Sequence, residues 1–290
     1  MFSKIMNLLF VSFSTPYIVL LFFDNFPMIA MDYLSKAEQS RIRALGKKHE
    51  RDEQGRFLAE GTKVCRELLG SGLTIQYAVI SDDADQVSQT LAEEFAEAGI
   101  EVCKAGSTAF ERMSDAKSPQ GIFCIAELPE PNDSMTDTFL ALEDINDPGN
   151  LGTIIRTADW FGMQTIILGG NCADPFSPKA IRSAMGSTFH VNIHIKHSLA
   201  DFISSWKQTF SKGEILGFMV QATQNLEHLQ ALPPHWGIVM GSESHGISNA
   251  TSSLITLPVR IDGAGSAESL NVGVATGISL HHCMSISKKQ

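Results

Sequence analysis

Between residues 137 and 287, short apolar runs recur at 139–145, 165–168, 190–195, 215–220, 238–240 and 254–261, separated by helical or loop stretches. Strand-length runs alternating with helix-length spacers point to βα units and a parallel sheet. About 150 residues of this pattern fill one α/β domain of ordinary size. In the run at 190–195, Val191, Ile193 and Ile195 alternate with His190, Asn192 and His194. The alternation places His190, Asn192, His194 and Lys196 on a polar strand face and not in a metal-ligand set.

A smaller α/β unit precedes this domain. Residues 62–69 put Val64, Leu68 and Leu69 on one helical stripe that stops at Gly70-Ser71-Gly72. Residues 76–81, 100–103 and 122–126 read as strands, and Val87, Leu91, Phe95 and Ala98 mark a second helix ending at Gly99. Two prolines and several turn formers make 128–136 the linker.

Charge limits the partners. The 290 residues carry a net −10, so mean charge does not hold the chain to nucleic acid or an anionic membrane. A local patch must do so. Residues 36–66 supply one candidate, with nine basic side chains (Lys36, Arg41, Arg43, Lys47, Lys48, Arg51, Arg56, Lys63, Arg66) against five acidic. Such a stretch lies along RNA phosphates or forms a solvated helix face. Residues 67–133 reverse the balance, thirteen acidic to three basic. The five cysteines are scattered, with no C-x-x-C, which fits a reducing compartment, the cytoplasm, better than a disulfide framework.

Residues 5–31 are strongly apolar behind Lys4, but Ser12, Ser14, Thr15 and Pro16 interrupt them. A membrane span needs about 20 mostly apolar residues, and a signal peptide needs a short apolar core and a small-residue cleavage site. Neither template fits cleanly. Residues 1–35 are read as an apolar leader or a misassigned start with Met31 as the working initiator; an export signal or anchor is the other reading.

The usual nucleotide and hydrolase motifs are missing. No G-x-x-x-x-G-K-S/T or G-x-S-x-G occurs, and DGAGS at 262–266 is only half of a G-x-G-x-x-G. Three other segments follow strands or glycine-rich loops. In DPGNLGTIIRTA at 147–158, Pro148 and Gly149 turn the chain and Asn150 caps a helix. Leu151, Ile155, Ala158 and Gly162 face the sheet, and Arg156 takes another face one turn ahead of Trp160. GSESHG at 241–246 sets Glu243 at a strand end, where open α/β sheets bind ligands. Ser269-Leu270-Asn271-Val272 opens an apolar helix.

The ordered spacings N-x-G-x-x-x-R, G-x-E-x-x-G and S-L-N-V resemble the three motifs of the SpoU/TrmH family of S-adenosylmethionine-dependent RNA ribose 2'-O-methyltransferases. The likeness covers roughly 137–287, and RFLAEGTKVCRELL and SPQGIFCIAE extend it to the family's ribosomal-protein-like substrate-binding domain. It implies an α/β chain with a small RNA substrate-binding domain at 36–130 and a SpoU-type parallel-sheet domain at 137–290, containing a deep trefoil knot. The implied cofactor is S-adenosyl-L-methionine, bent in the knot. The implied partners are RNA, ribosomal rather than transfer because of the added N-terminal domain, and a second copy that completes the pocket.

The resemblance also implies roles for single residues. Arg156 matches an arginine acting on the 2'-hydroxyl. A guanidinium stays protonated, so orientation and phosphate contact suit it better than service as a base. Asn150 shapes the pocket, Glu243 orients catalytic groups, and Ser269 and Asn271 form a polar pair near cofactor and ribose. Gly241, Ile261 and Leu270 match positions whose backbone meets the cofactor's adenosine. Taken singly, each has a plainer reading: Arg156 paired with Asp159, Asn150 only a cap, Glu243 only a surface carboxylate. The chain also departs from the family at Asp262-Gly263, where many relatives have proline. The competing functions are a tRNA 2'-O-methyltransferase, a non-catalytic RNA-binding ribosome-assembly protein, and a scaffold attached to the membrane by the leader.

Overall fold

A computed structural model describes residues 31–130 and 134–287; the apolar stretch before Met31 lies outside them. The first sheet is built from α1 (Lys36–Ala44), α2 (Lys48–Gln54), β1 (Arg56–Glu60), α3 (Thr62–Leu69), β2 (Ile75–Ser81), α4 (Gln86–Glu97), β3 (Glu101–Ala105), α5 (Ser107–Met113) and β4 (Ile122–Glu127). Its strand order is β1-β4-β2-β3, with β4 antiparallel to both neighbours and β2 parallel to β3. Helix α3 occupies the expected residues, ending at Gly70. The strand β1 has no counterpart in the sequence reading, because RFLAE alternates too briefly to stand out.

The second sheet comprises β5 (Thr138–Glu143), α6 (Pro148–Phe161), β6 (Thr165–Gly169), α7 (Pro178–Ala184), β7 (Asn192–Ile195), α8 (Leu199–Thr209), β8 (Glu214–Phe218), β9 (Gln224–Asn225), β10 (Trp236–Met240), α9 (Asn249–Ser252), β11 (Leu257–Arg260) and α10 (Val272–Ser287). The order is β7-β6-β5-β10-β8-β11-β9, and every pairing is parallel. Both faces are covered, as a parallel sheet requires. On one face Leu140, Leu142, Ile166 and Ile238 pack with Leu151, Ile155 and Ala158 of α6 and Leu280 and Cys283 of α10. On the other, Phe139, Ile167 and Val239 meet Leu199, Ile203 and Trp206 of α8. The Trp206 indole is fully buried and donates Nε1 to the Thr136 carbonyl at 2.8 Å, so the linker's end is fastened to the core.

One expectation is overturned in β7. His194 does not lie on a polar face: it is buried beside Ile167, while Ile195 is 62% exposed at the sheet edge. His190 and Asn192 are exposed as expected, so the departure is confined to His194, paired with Ile167 of β6, while the edge position of β7 exposes Ile195.

The two sheets share packing. Phe57 of β1 stacks on Phe189 at 5.8 Å and meets Phe176 at 5.2 Å, and Ile181 of α7 joins the same cluster. The basic segment is also partly consumed here. Arg51 is 2% exposed and bound to Asp174; Arg56 pairs with Glu38 at 2.8 Å and Arg66 with Glu94 at 3.0 Å. Lys36, Arg43, Lys47 and Lys63 remain exposed without an ion pair among the described residues. The nine bases therefore do not form one patch. Among the described residues no helix is long and apolar enough to cross a membrane.

Candidate active site

The C-terminal ends of β5, β6 and β10 open on a cleft of about 350 Å³ lined by Asp144, Asp147, Asn150, Asn171, Glu243 and His245 among others. Its floor begins where β5 ends. Asp144 adopts φ 58, unusual for a residue with a side chain. Its Oδ1 accepts the Asn171 N–H at 2.8 Å, which joins the β5 and β6 loops.

Helix α6 then starts beneath the cleft. Its cap is Asp147, whose Oδ1 accepts the Asn150 N–H at 2.9 Å, and not Asn150 as the sequence suggested. An aspartate directly before proline at the first helical position was the available signal. Lys179 of α7 donates to Asp147 Oδ2 at 2.8 Å. That ammonium, with the Asn150 N–H, holds the Asp147 carboxyl below the ordinary aspartate range. Relieved of capping, the Asn150 amide points at Glu243.

Glu243 sits in the turn after β10. This turn is tight: Gly246 adopts φ 67 and donates its N–H to the Ser242 carbonyl at 2.9 Å, and a Cβ on Gly241 would fall 2.1 Å from the Gly246 carbonyl carbon. Its far foot is held by Glu143, a buried carboxylate that accepts the Ser248 N–H at 2.8 Å, the Ser248 hydroxyl at 2.9 Å and the Thr251 hydroxyl at 2.6 Å. Glu143 carries no signal in the sequence beyond its place at a strand end.

One oxygen unites the three motifs. Glu243 Oε1 accepts Asn271 Nδ2 at 2.8 Å, the Val272 N–H at 3.0 Å and Asn150 Nδ2 at 3.5 Å. Asn271 Nδ2 also reaches Asn150 Oδ1 at 3.1 Å, and Asn271 Oδ1 accepts the Gly273 N–H at 3.0 Å, capping α10. Glu243 is thus more than a surface carboxylate.

The other expected residues stand apart from that cluster. Gly241 directly follows β10, while Ile261 follows β11 half-buried against the core. Ser269 and Leu270 lie exposed on the loop before α10. Arg156 is exposed on α6, does not line the cleft and makes no ion pair with Asp159. Asp262, at the family's proline position, accepts from Arg260 Nε at 2.7 Å and from Asn225 Nδ2, so its charge is matched within the chain. Among the described residues no group of three or more His, Cys, Asp or Glu is placed to hold a metal.

Residues 137–281 match the model of the SpoU rRNA Methylase family, half of the chain. This chain belongs to that family. Residues 40–124 match the MRM3-like substrate binding domain. The chain is 30% identical over 257 residues to the 23S rRNA (guanosine(2553)-2'-O)-methyltransferase RlmP of Bacillus subtilis, covering 87% of this chain and 99% of that protein. A putative RNA methyltransferase of the TrmH family from Porphyromonas gingivalis superposes with a TM-score of 0.75 at 28% identity, over 89% of this chain and 99% of that one. The AdoMet-bound rRNA methyltransferase from Sinorhizobium meliloti gives 0.74 at 31% identity, over 87% and 95%.

Proposed function

We propose that this chain transfers a methyl group from S-adenosyl-L-methionine to a ribose 2'-hydroxyl of ribosomal RNA, with 36–130 binding the RNA and 137–290 forming the knotted catalytic domain. The observation that supports this most is the convergence of Asn150, Asn271 and the Val272 N–H on Glu243 Oε1, since it joins three motifs distant in sequence at one cleft. The S. meliloti and B. subtilis relatives support the cofactor and the ribosomal substrate.

The cleft suits such a cofactor. This reading assigns the adenine to Ile261, half-buried after β11, and Leu270, exposed on the loop before α10, and at Gly241 the turn folds back on Gly246 so closely that no side chain fits. When bound, S-adenosyl-L-methionine supplies an electrophilic methyl on a positively charged sulfur. Glu243 places a carboxylate in that cleft, and its second oxygen, Oε2, makes none of the three bonds above. Asn150 and Asn271 fix the carboxylate's rotamer, which keeps the site preorganised. Arg156 binds a phosphate and turns the ribose hydroxyl in line with the methyl, remaining protonated throughout. Ser269 contacts the ribose from the loop before α10.

A homodimer belongs to the same reading. Trp160 of α6 is 84% exposed, and Val274 and Ile278 of α10 are also exposed, on helices that pack so closely that a Cβ on Gly273 would lie 3.4 Å from Thr153. Pairing through this face covers the apolar side chains. It also accounts for Arg156, which lies one turn from Trp160 and outside its own cleft: each arginine serves the partner's pocket.

The test is methyl transfer from labelled S-adenosyl-L-methionine, with cytoplasmic ribosomal RNA from a deletion strain and transfer RNA as separate substrates. Ribosomal RNA should gain one ribose methyl, located by mass spectrometry, and Arg156→Ala should abolish it while still binding cofactor. Methylation of transfer RNA alone, or RNA binding without cofactor binding, would replace this reading with one of its rivals.

A further inference from the structure

The Arg51 guanidinium lies in α2, yet it is buried against the second sheet. Nε donates to Asp174 Oδ2 at 3.0 Å, Nη2 reaches the same oxygen, and Nη1 donates to the Leu45 carbonyl at 2.6 Å. Partners 123 residues apart are therefore joined by a directional contact. Burying a charge pair costs desolvation, so such a pair adds little net stability over an apolar replacement and serves best to fix register. Adhesion between the two sheets already comes from Phe57 against Phe176 and Phe189.

Asp174 leads directly to the cleft. Its own Oδ1 accepts the Phe176 N–H at 2.9 Å, Ala173 donates to the Ile145 carbonyl at 2.8 Å, and Asn171 donates to Asp144 Oδ1 at 2.8 Å. Ile145, Asp144 and Asn171 line the cleft. A second strut runs through α7, where Arg182 meets Asp115 at 2.7 Å and Glu60 at 3.5 Å, while Lys179 one turn earlier holds Asp147.

We infer that Arg51 is a positioning residue: with Asp174 it locks the small domain in register with the cleft, so that this domain acts as a fixed ruler selecting which ribose is methylated. The inference rests on the methyltransferase reading for its chemical consequence, but the lock itself can be read without chemistry. Arg51→Met keeps the volume, Arg51→Lys keeps the charge but loses the two-pronged fork, and Asp174→Asn removes the charge from the other side. Expected for Arg51→Met and Asp174→Asn are unchanged Kd for S-adenosyl-L-methionine and for RNA, a kcat lower by about tenfold as register is lost, and methyl groups spread onto neighbouring riboses. Arg51→Lys should recover part of both. Spin labels at exposed Lys63 and Lys212 should give a single narrow distance in the wild type and a broadened one in Arg51→Met. A broadened distance in a protein that methylates no RNA would sustain the lock and remove the methyltransferase reading. Unbroadened distances, or wild-type kcat with one methylated ribose, would overturn the lock. So would a fall in Tm with parallel loss of cofactor binding, or failure of both Arg51→Met and Asp174→Asn to fold, because each marks a merely structural pair.

Discussion

Asn271 and Glu243 are 28 residues apart in the chain and 2.8 Å apart in the fold, the amide of one donating to Oε1 of the other. The same oxygen receives Asn150 and the Val272 N–H. Because a single oxygen takes all three, Glu243→Gln can retain every bond through its carbonyl, and it should fold with an unchanged Tm. Its kcat should fall roughly tenfold, the order expected when a charge-assisted bond becomes neutral. Glu243→Ala strands three donors and should cost on the order of a hundredfold, as for other misplaced catalytic groups. Equal kcat for Gln and wild type would show that the carboxylate's charge has no part in transfer.

Asp147 is both the cap of α6 and the partner of Lys179. Asp147→Ala should lower unfolding free energy by about 1 kcal/mol, the usual cost of a lost cap, with Asp147→Asn losing less. The carboxyl is held below the ordinary aspartate value, chiefly by Lys179. Its contribution is therefore complete above that ordinary value and fades as pH falls through the lowered one. Urea titrations at pH 7 and pH 3 should show the wild-type advantage over Asp147→Ala shrinking in acid; an advantage independent of pH would contradict the ion pair.

The paired-cleft reading of Arg156 predicts complementation. Arg156→Ala, inactive alone, and Glu243→Ala, reduced about a hundredfold alone, should regain activity when unfolded and refolded together, because a mixed dimer holds one intact cleft. About a quarter of wild-type activity is expected from statistical mixing of two equal protomers. No recovery in a mixture shown to contain mixed dimers would place Arg156 in the cleft of its own chain.

The motif residues were legible because their three ordered spacings resemble those of a known family, and Asn150, Glu243 and Asn271 come together in the fold. Pairings across long stretches of chain were not. Arg51 read as one of nine free bases since nothing near it in sequence reveals Asp174, and Glu143 looked like any strand-end carboxylate before Ser248 and Thr251 closed on it. His194 failed for the opposite reason, a clear local pattern that does not hold at the buried middle of an edge strand. The parallel sheet itself was readable from strand and helix lengths, but its order, with β10 beside β5, is set by crossovers that periodicity does not encode.

The thiols give a pH signature. Burial pushes Cys172 and Cys103 up to about 11, Glu101 adding to the effect at Cys103, and pushes Cys283 to about 12. Only the thiolate alkylates, so at pH 8 these three should react with iodoacetamide at least about a hundredfold more slowly than a free thiol. Their rates should climb through pH 10 without levelling near 9. Folding favours the neutral thiol at each, so the stability it confers is full below the ordinary thiol value and is lost as pH rises through the raised one. A plateau in alkylation rate near pH 9, read by mass spectrometry of peptides from native protein, would show that burial does not control these thiols.

Gly152 is the glycine of N-x-G-x-x-x-R, and its role is packing. A Cβ there would lie 2.5 Å from the Ala180 carbonyl oxygen, 2.5 Å from Ser183 Cβ and 2.9 Å from the Ala184 nitrogen, so α6 and α7 cross with no room for a methyl group. Two of the three atoms are backbone and cannot swing away. Gly152→Ala should therefore destabilise by about 1–3 kcal/mol, the range for overpacking a tight core, despite alanine's better helix propensity. Adding Ser183→Gly removes only the side-chain clash and should recover less than half of the loss. Because α7 carries Lys179, which holds the Asp147 cap, displacement of α7 should also weaken cofactor binding before the protein unfolds. Guanidinium denaturation of the single and double variants checks the packing, and a Gly152→Ala protein as stable as wild type would show that the two helices are not in contact at this crossing.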